Sequence, residues 1–347
     1  MSDLKTRAMT VGEVEFDLVV IGSGPTGLAC AIEAQKVGLR VVVVEKGCLC
    51  NSLFHYPAHM TFFTTPELLE IGGIPFSSTN QKPTRNEALE YYRQVAVYYR
   101  LNIHLYQRVV AVTGQEGDFH LRTQDRFGRE GALRARRVVV AIGYYDLPNA
   151  LQIPGEELSK VHHYYNDPHP YSGMDVVVIG GKNSAAIAAL ELWRHGARVT
   201  LVHRGAGVQP HVKYWIKPDI ENRIKCGEVR ALFHSRVTEI GQDSIVVETS
   251  DGPQTLKNDF VFALIGYHPD FAFLESLGVR LEGEDRLPVC NAETFESNVR
   301  GIYLAGVIVA GMRTNEIFIE NGRFHGVQIA RHLRQFASQP GRSSASG

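Results

Sequence analysis

The sequence predicts an α/β protein of two three-layer domains, the second inserted into a discontinuous first. Three observations predict it. The segment "DLVVIGSGPTGLACAIEAQKVGLRVVVVEK" (17 to 46) lines up without a gap on "DVVVIGGKNSAAIAALELWRHGARVTLVHR" (175 to 204). Each copy runs from β-branched residues through a glycine-bearing turn into an alanine-rich stretch and a second valine run. After residue 280 the chain returns to strand and helix patterning, in "GIYLAGVIVAG" and "NEIFIENGRFHGVQIARHL".

Taken in order, the first valine run is short, continuously apolar and rich in β-branched residues, the pattern of a buried parallel strand. The alanine-rich stretch that follows is helical, and Gly38 in the first copy and Gly196 in the second stand where a glycine ends a helix. Each copy is therefore a βαβ unit of the Rossmann-like kind. A weaker echo, "VVVAIGYYDLP" (138 to 148) against "FVFALIGYHPD" (260 to 270), marks the last strand of each unit and the exit into the other domain. The first copy is longer, and its insertion falls in "LCNSLFHYPAHMTFFTTPELLEIGGIPF" (49 to 76). Linkers are expected near 144 to 160 and 267 to 280. Phe324, Val327, Ala330 and Leu333 recur at threefold spacing in the last helix. The tail "ASQPGRSSASG" (337 to 347) is rich in Ser, Gly and Pro and reads as disordered.

In the first turn Gly22, Gly24 and Gly27 match G-x-G-x-x-G between strand and helix. Such glycines allow the tight turn, the close approach of a pyrophosphate and helix-to-strand packing, while the helix N-terminus faces the anion. Glu45, about 20 residues on, ends the next strand where a carboxylate accepts from a ribose. The second turn differs at two points: Lys182 replaces the middle glycine, and His203 followed by Arg204 replaces the acid. A carboxylate there repels a 2′-phosphate, whereas arginine accepts one. The first site thus suits FAD and the second NADPH. FAD-binding segments are expected at 14–150 and 280–336, with an NADPH-binding domain at 151–279.

The bulk numbers agree with a folded protein of two domains. The chain has 347 residues, 44% of them apolar, enough to bury two cores. Its 36 basic and 37 acidic residues leave no electrostatic footprint for nucleic acid or an acidic membrane surface. No apolar run approaches the ~20 residues of a bilayer span, and the N-terminus has no secretory signal pattern, so a cytoplasmic location is expected. Cys30, Cys48, Cys50, Cys226 and Cys290 lack zinc or disulfide-framework spacing, and no metal is expected.

Three stretches, "HPYSGMDVVVIGGKNSAAIAALEL", "YPAHMTFFTTPELLEIGGIPF" and "GIYLAGVIVAGMRTNEIFIENGRFHG", resemble the bacillithiol-disulfide reductases of the YpdA type. These are thioredoxin-reductase-like flavoproteins without a Cys-x-x-Cys pair, and the similarity spans nearly the whole chain. It implies an FAD-containing, NADPH-dependent reductase of a low-molecular-weight thiol disulfide, assembled as a homodimer or larger. For FAD it implies Gly22, Ser23, Gly24, Pro25, Thr26, Gly27, Glu45 and Lys46, then Asn51, Tyr56, Thr61, Val110, Ala141 and Gly143. Ala305, Gly306, Glu316 and Ile317 belong to the C-terminal segment that closes on the flavin. For NADPH it implies Gly180, Gly181, Lys182, Asn183, Ser184, Ala185, His203 and Arg204.

One departure bears on mechanism. Disulfide reductases of this type place a cysteine between the proline and the last glycine of the first turn, where this chain has Thr26. Threonine is a far poorer nucleophile towards sulfur than a thiolate. The remaining catalytic candidates are Cys50, just after Glu45, and His162, an imidazole able to protonate a leaving thiolate. A small redox protein such as ferredoxin or flavodoxin is the alternative acceptor. The linker before the second turn also allows a flavin monooxygenase, and the absent nucleophile allows a non-catalytic redox sensor.

Overall fold

The computed structural model describes residues 16–337. Residues 14 and 15 of the expected first domain and all of the expected tail beyond Ala337 lie outside them. The chain divides into two compact units. Among the described residues, one holds 16–54, Thr61–Tyr144 and 269–337; the other holds His55–Met60 and Tyr145–His268.

The first unit opens with β1 (Phe16–Ile21), α1 (Pro25–Lys36) and β2 (Val41–Val44). Leu18, Val19 and Val20 are fully buried, so β1 is covered on both faces, which is why it reads as an unbroken apolar run. Each such valine contributes ~1.5–3 kcal/mol by leaving water. The stretch 49 to 98 then carries the short helices α2 (Asn51–Phe54) and α3 (Pro66–Leu69) and the longer α4 (Arg85–Tyr98). Thr84 caps α4: its hydroxyl accepts from the Glu87 amide while the Glu87 carboxylate accepts from the Thr84 amide. These hydrogen bonds, with one from Ser78, pull the Glu87 carboxyl down to about 2. Strands β3 (Ile103–His104), β4 (Gln107–Gln115), β5 (Asp118–Asp125) and β6 (Glu130–Val140) complete the run. The sheet order is β3-β2-β1-β6-β5-β4, parallel as far as β6 and antiparallel beyond it.

The second unit repeats the plan. Strands β7 (Val161–His162) and β8 (Asp175–Ile179), helix α5 (Asn183–Arg194), β9 (Arg198–Val202), α6 (Lys217–Lys225) and β10 (Arg230–Leu232) come first. An antiparallel sheet of β11 (Arg236–Ile240), β12 (Ser244–Thr249) and β13 (Gly252–Lys257) follows, and β14 (Phe260–Ala263) returns to the parallel sheet, ordered β10-β9-β8-β14-β7. Both units are thus Rossmann-like, and the second is inserted in the chain of the first, as the repeat predicts.

The chain re-enters the first unit earlier than the expected linker, 267 to 280, allows. That stretch holds α7 (Phe271–Ser276), whose Phe271 and Leu274 join Val19, Val140 and Leu304 in one core. Its apolar residues were too few to show a helical period. The hairpin of β15 (Leu281–Glu282) and β16 (Leu287–Pro288) follows, then β17 (Ile302–Leu304), parallel to β6, then α8 (Ile319–Gly322) and α9 (His325–Ala337). The four residues at threefold spacing do not share one face of the structure. Ile329, Ala330 and Leu333 are buried, whereas Phe324, which precedes the helix, and Val327 are exposed. The reason is the crossing of α9 over α1, where a side chain at Gly326 would stand 2.8 Å from the Ala29 backbone. That contact sets the rotation of the helix.

Candidate functional site

The first turn joins β1 to α1. Gly22 has φ +105°, and a Cβ there would stand 2.9 Å from the Ala141 carbonyl carbon. A Cβ at Gly27 would overlap the Gly22 carbonyl oxygen, so bare backbone is required for helix and turn to pack. At Gly24, by contrast, a Cβ would meet nothing within 4 Å. This glycine opens onto free space at the start of α1, which has Pro25 in its first turn and no side-chain cap. The early amides of such a helix are left for an anion.

Glu45 ends β2 as a buried carboxylate. Its Oε2 accepts from the Ser23 amide at 2.8 Å and the Ser23 hydroxyl at 3.1 Å, and its Oε1 accepts from the Gly47 amide at 2.9 Å. The acid is thereby fixed against the turn. Lys46 beside it is exposed. Asn51 starts α2 and accepts from the Cys48 amide. Ala141 is buried beyond the end of β6, and Gly143, with φ +69°, follows. Val110 sits exposed at a bulge of β4.

Thr26 packs against the C-terminal segment. Its hydroxyl oxygen lies 3.3 Å from where a Cβ of Gly306 would stand and 3.2 Å from that of Gly322. Ala305 and Gly306 are buried between β17 and a 3-10 turn, Gly306–Ala310, while Glu316 is exposed and Ile317 half-buried. The structure thus brings the first turn, Glu45 and the Ala305–Gly306 corner together within one unit. Thr61 is bridged to Thr84 in the same unit, whereas Tyr56 belongs to the other, where its ring meets Tyr145 edge-on at 4.7 Å.

The second turn, between β8 and α5, keeps the backbone plan with different side chains. Gly180 has φ +147°, and exposed Lys182 takes the N-cap position without capping. The His203 ring fills the place that Glu45 holds in the first copy: a Cβ at Gly181 would stand 2.6 Å from its Cε1 and Nε2. The Gln209 side chain meets His203 Nε2 at 3.0 Å, and the Gln209 amide donates to the Gly181 carbonyl at 3.0 Å. Burial first, and the charge of Arg204 second, hold this imidazole below its ordinary value. Asn183 Oδ1 accepts from the Lys213 amide at 3.0 Å, tying the 205 to 216 loop to the turn. Ser184 and Arg204 are exposed and Ala185 is buried under the turn. Gln209 and Lys213 carried no motif, and only the fold shows them beside the turn.

The catalytic candidates fare differently. Cys50 is 1% exposed, and its Sγ donates to the Ser23 carbonyl at 3.4 Å. Burial, then Glu45, then Cys48 push its thiol well above the ordinary range. Burial followed by Glu45 also raises Cys48. His162 lies in β7, its ring 5.4 Å from that of Phe262 and 6.1 Å from that of Phe260. Burial first, then His163, lowers its pKa. It is packed as an aromatic rather than presented as an acid. Among the described residues no group of three or more His, Cys, Asp or Glu could hold a metal ion.

Two nucleotide turns of this build, one with a buried carboxylate at the next strand end and one with a histidine and an arginine there, define a flavoprotein oxidoreductase driven by a nicotinamide nucleotide. The chain belongs to the pyridine nucleotide-disulphide oxidoreductase family, whose model matches residues 19–306. It is 45% identical over 324 residues to bacilliredoxin reductase Bdr of Bacillus subtilis (strain 168), covering 92% of this chain and 98% of that protein. Among solved structures, bacillithiol disulfide reductase Bdr (YpdA) from Bacillus cereus superposes with a TM-score of 0.91 at 45% identity, over 92% of this chain and 99% of the other. The Staphylococcus aureus enzyme of the same name gives 0.89 at 40%, over 93% and 99%. The protein is an NADPH-dependent flavoprotein oxidoreductase with FAD and NADPH as its cofactors. The free space before Gly24 and the uncapped start of α1 fit the pyrophosphate of the first, and the basic strand end at Arg204 fits the second.

Proposed function

We propose that this chain uses NADPH, through FAD, to open a low-molecular-weight disulfide of the bacillithiol kind. The observation that supports it best is identity of 40–45% to two solved reductases named for that substrate, along more than nine-tenths of both chains. In this reading the first turn, the early amides of α1, and Glu45 with Lys46 hold the adenosine and pyrophosphate of FAD. Asn51, Thr61, Val110, Ala141, Gly143, Ala305, Gly306, Glu316 and Ile317 line the way to the flavin. Gly180, Gly181, Lys182, Asn183, Ser184 and Ala185 take the pyrophosphate of NADPH, and His203 with Arg204 takes its 2′-phosphate. The bound flavin supplies the electron chemistry, and the protein supplies orientation and exclusion of water. The unit of His55–Met60 and Tyr145–His268 serves as the NADPH domain and the other unit as the FAD domain. The chain works in the cytoplasm as a homodimer or larger assembly; no described helix is long and apolar enough to cross a membrane.

A second reading rests on a specific observation. Thr26 stands where related reductases have a cysteine, and Cys50, just after Glu45, is buried with its thiol pushed well above the ordinary range. A flavin without a thiol relay suits a small electron-carrier protein such as ferredoxin or flavodoxin. Anaerobic rapid mixing separates the two. NADPH must bleach the flavin, and reoxidation by bacillithiol disulfide faster than by ferredoxin or flavodoxin supports the first reading. The reverse order supports the second, and a flavin that NADPH leaves oxidised defeats both.

A further inference from the structure

His325 lies in the C-terminal motif, and none of the roles above uses it. It is 7% exposed and begins α9. Its ring stacks on Phe295 with centroids 4.0 Å apart and planes 16° from parallel. Its Nδ1 accepts a hydrogen bond from the Gly306 amide at 3.1 Å. Accepting there requires Nδ1 to be unprotonated and places the proton of the neutral ring on Nε2.

The surroundings are built around this contact. Gly306 has φ +80°, a conformation that a side chain disfavours, and the amide so turned points to His325. Phe295 has φ +58°, an outlier for an aromatic residue. Its amide donates to the Asn291 carbonyl at 2.8 Å, and its carbonyl accepts from the Leu304 amide at 2.9 Å. Backbone strain of this sort persists only where the surroundings over-determine it. On the far side Gly306 faces the Thr26 hydroxyl. A line of contacts therefore runs from Phe295 through His325 and Gly306 to the first turn. Phenylalanine at 325 could stack as well, but only a residue with an acceptor at the δ position also binds the amide.

We propose that His325 is a positioning residue: it holds the Gly306 peptide so that the Ala305–Gly306 corner keeps the shape in which it closes on the flavin. The proposal rests on the FAD reading given above. Burial pulls the imidazole down to about 4, so the ring remains the neutral acceptor throughout the physiological range.

The test uses the full chain and two variants, His325→Phe, which keeps the stack and loses the acceptor, and His325→Asn, whose Oδ1 can reach the place of Nδ1. FAD dissociation constants, the visible spectrum of the bound flavin and the Tm of the FAD-free chain are measured. One lost hydrogen bond predicts about tenfold weaker FAD binding and an altered flavin spectrum in the phenylalanine variant. The asparagine variant should recover most of the affinity. A phenylalanine variant with wild-type affinity and spectrum overturns the role, as does an asparagine variant that binds as weakly as phenylalanine at a lowered Tm. Should the variants fail to fold, nitrogen NMR of the wild-type imidazole decides: a protonated Nδ1 overturns the proposal, and a protonated Nε2 with a hydrogen-bonded Nδ1 upholds it. A wild type that takes up no FAD defeats the function proposed above. A wild type that binds FAD alongside an equally competent phenylalanine variant defeats this role alone.

Discussion

Gly24→Ala isolates the pyrophosphate from the fold. Gly24 has φ −66° and ψ 170°, which alanine adopts freely, and its Cβ would touch no protein atom within 4 Å. In the FAD-free chain two small effects oppose each other. Alanine at an N-cap is worse than glycine by about 0.5–1 kcal/mol, and fewer unfolded conformations favour the variant by about 0.4–1 kcal/mol. Stability without FAD should therefore stay within about 0.5 kcal/mol of wild type. Binding should not be spared, because in the proposed site the methyl group stands where the phosphates meet the first amides of α1. Losing one charge-assisted hydrogen bond costs about 1.5–3 kcal/mol, or about 10–100-fold in Kd. The assay is thermal unfolding of the FAD-free chain together with FAD titration. Gly27→Ala is the contrast: its Cβ overlaps the Gly22 carbonyl oxygen, so both stability and binding should fall. Wild-type FAD affinity in Gly24→Ala would refute the placement of the pyrophosphate at this turn.

Four further outcomes follow from the same geometry. Gly181→Ala pushes a methyl group against the His203 ring, so KM for NADPH should rise several-fold with kcat at saturation little changed, as steady-state kinetics will show. Arg204→Ser should lower the preference for NADPH over NADH by about tenfold, the worth of one charge-assisted contact, measured as the ratio of kcat/KM values. Cys50→Ser should keep turnover within about twofold, since a buried thiol held well above its ordinary range is a poor nucleophile; collapse of disulfide-dependent turnover in a folded variant would restore it as the relay. The His325 ring, ordinarily near 6.5, titrates near 4 in the folded chain. Between those values the unfolded chain binds the extra proton, so stability falls on acidification from about pH 6.5 to 4, by the order of 3 kcal/mol. His325→Phe should flatten that part of the pH–stability curve, read by denaturant unfolding.

Much of the site was legible in the chain because its requirements are local. Gly22, Gly24 and Gly27 are dictated by one tight turn, and Glu45 by the length of one helix and one strand, so spacing alone reveals them. The gap-free repeat likewise exposed the second unit, since a βαβ motif is folded from about thirty consecutive residues. The C-terminal corner was found only through resemblance, because Gly306 and Gly322 reach Thr26 across nearly three hundred residues and no local rule links them.

What the sequence determined by itself, then, is two Rossmann-like units and the chemistry of their turns: steric and electrostatic demands that act over a few residues leave a fixed spacing. Tertiary structure alone decided that Cys50 is sealed against the Ser23 carbonyl, that α7 belongs to a core, that α9 hides Ile329 rather than Val327, and that His325 grips Gly306. Burial and rotation of an element depend on what distant segments pack against it, and no pattern of neighbours along the chain carries that information.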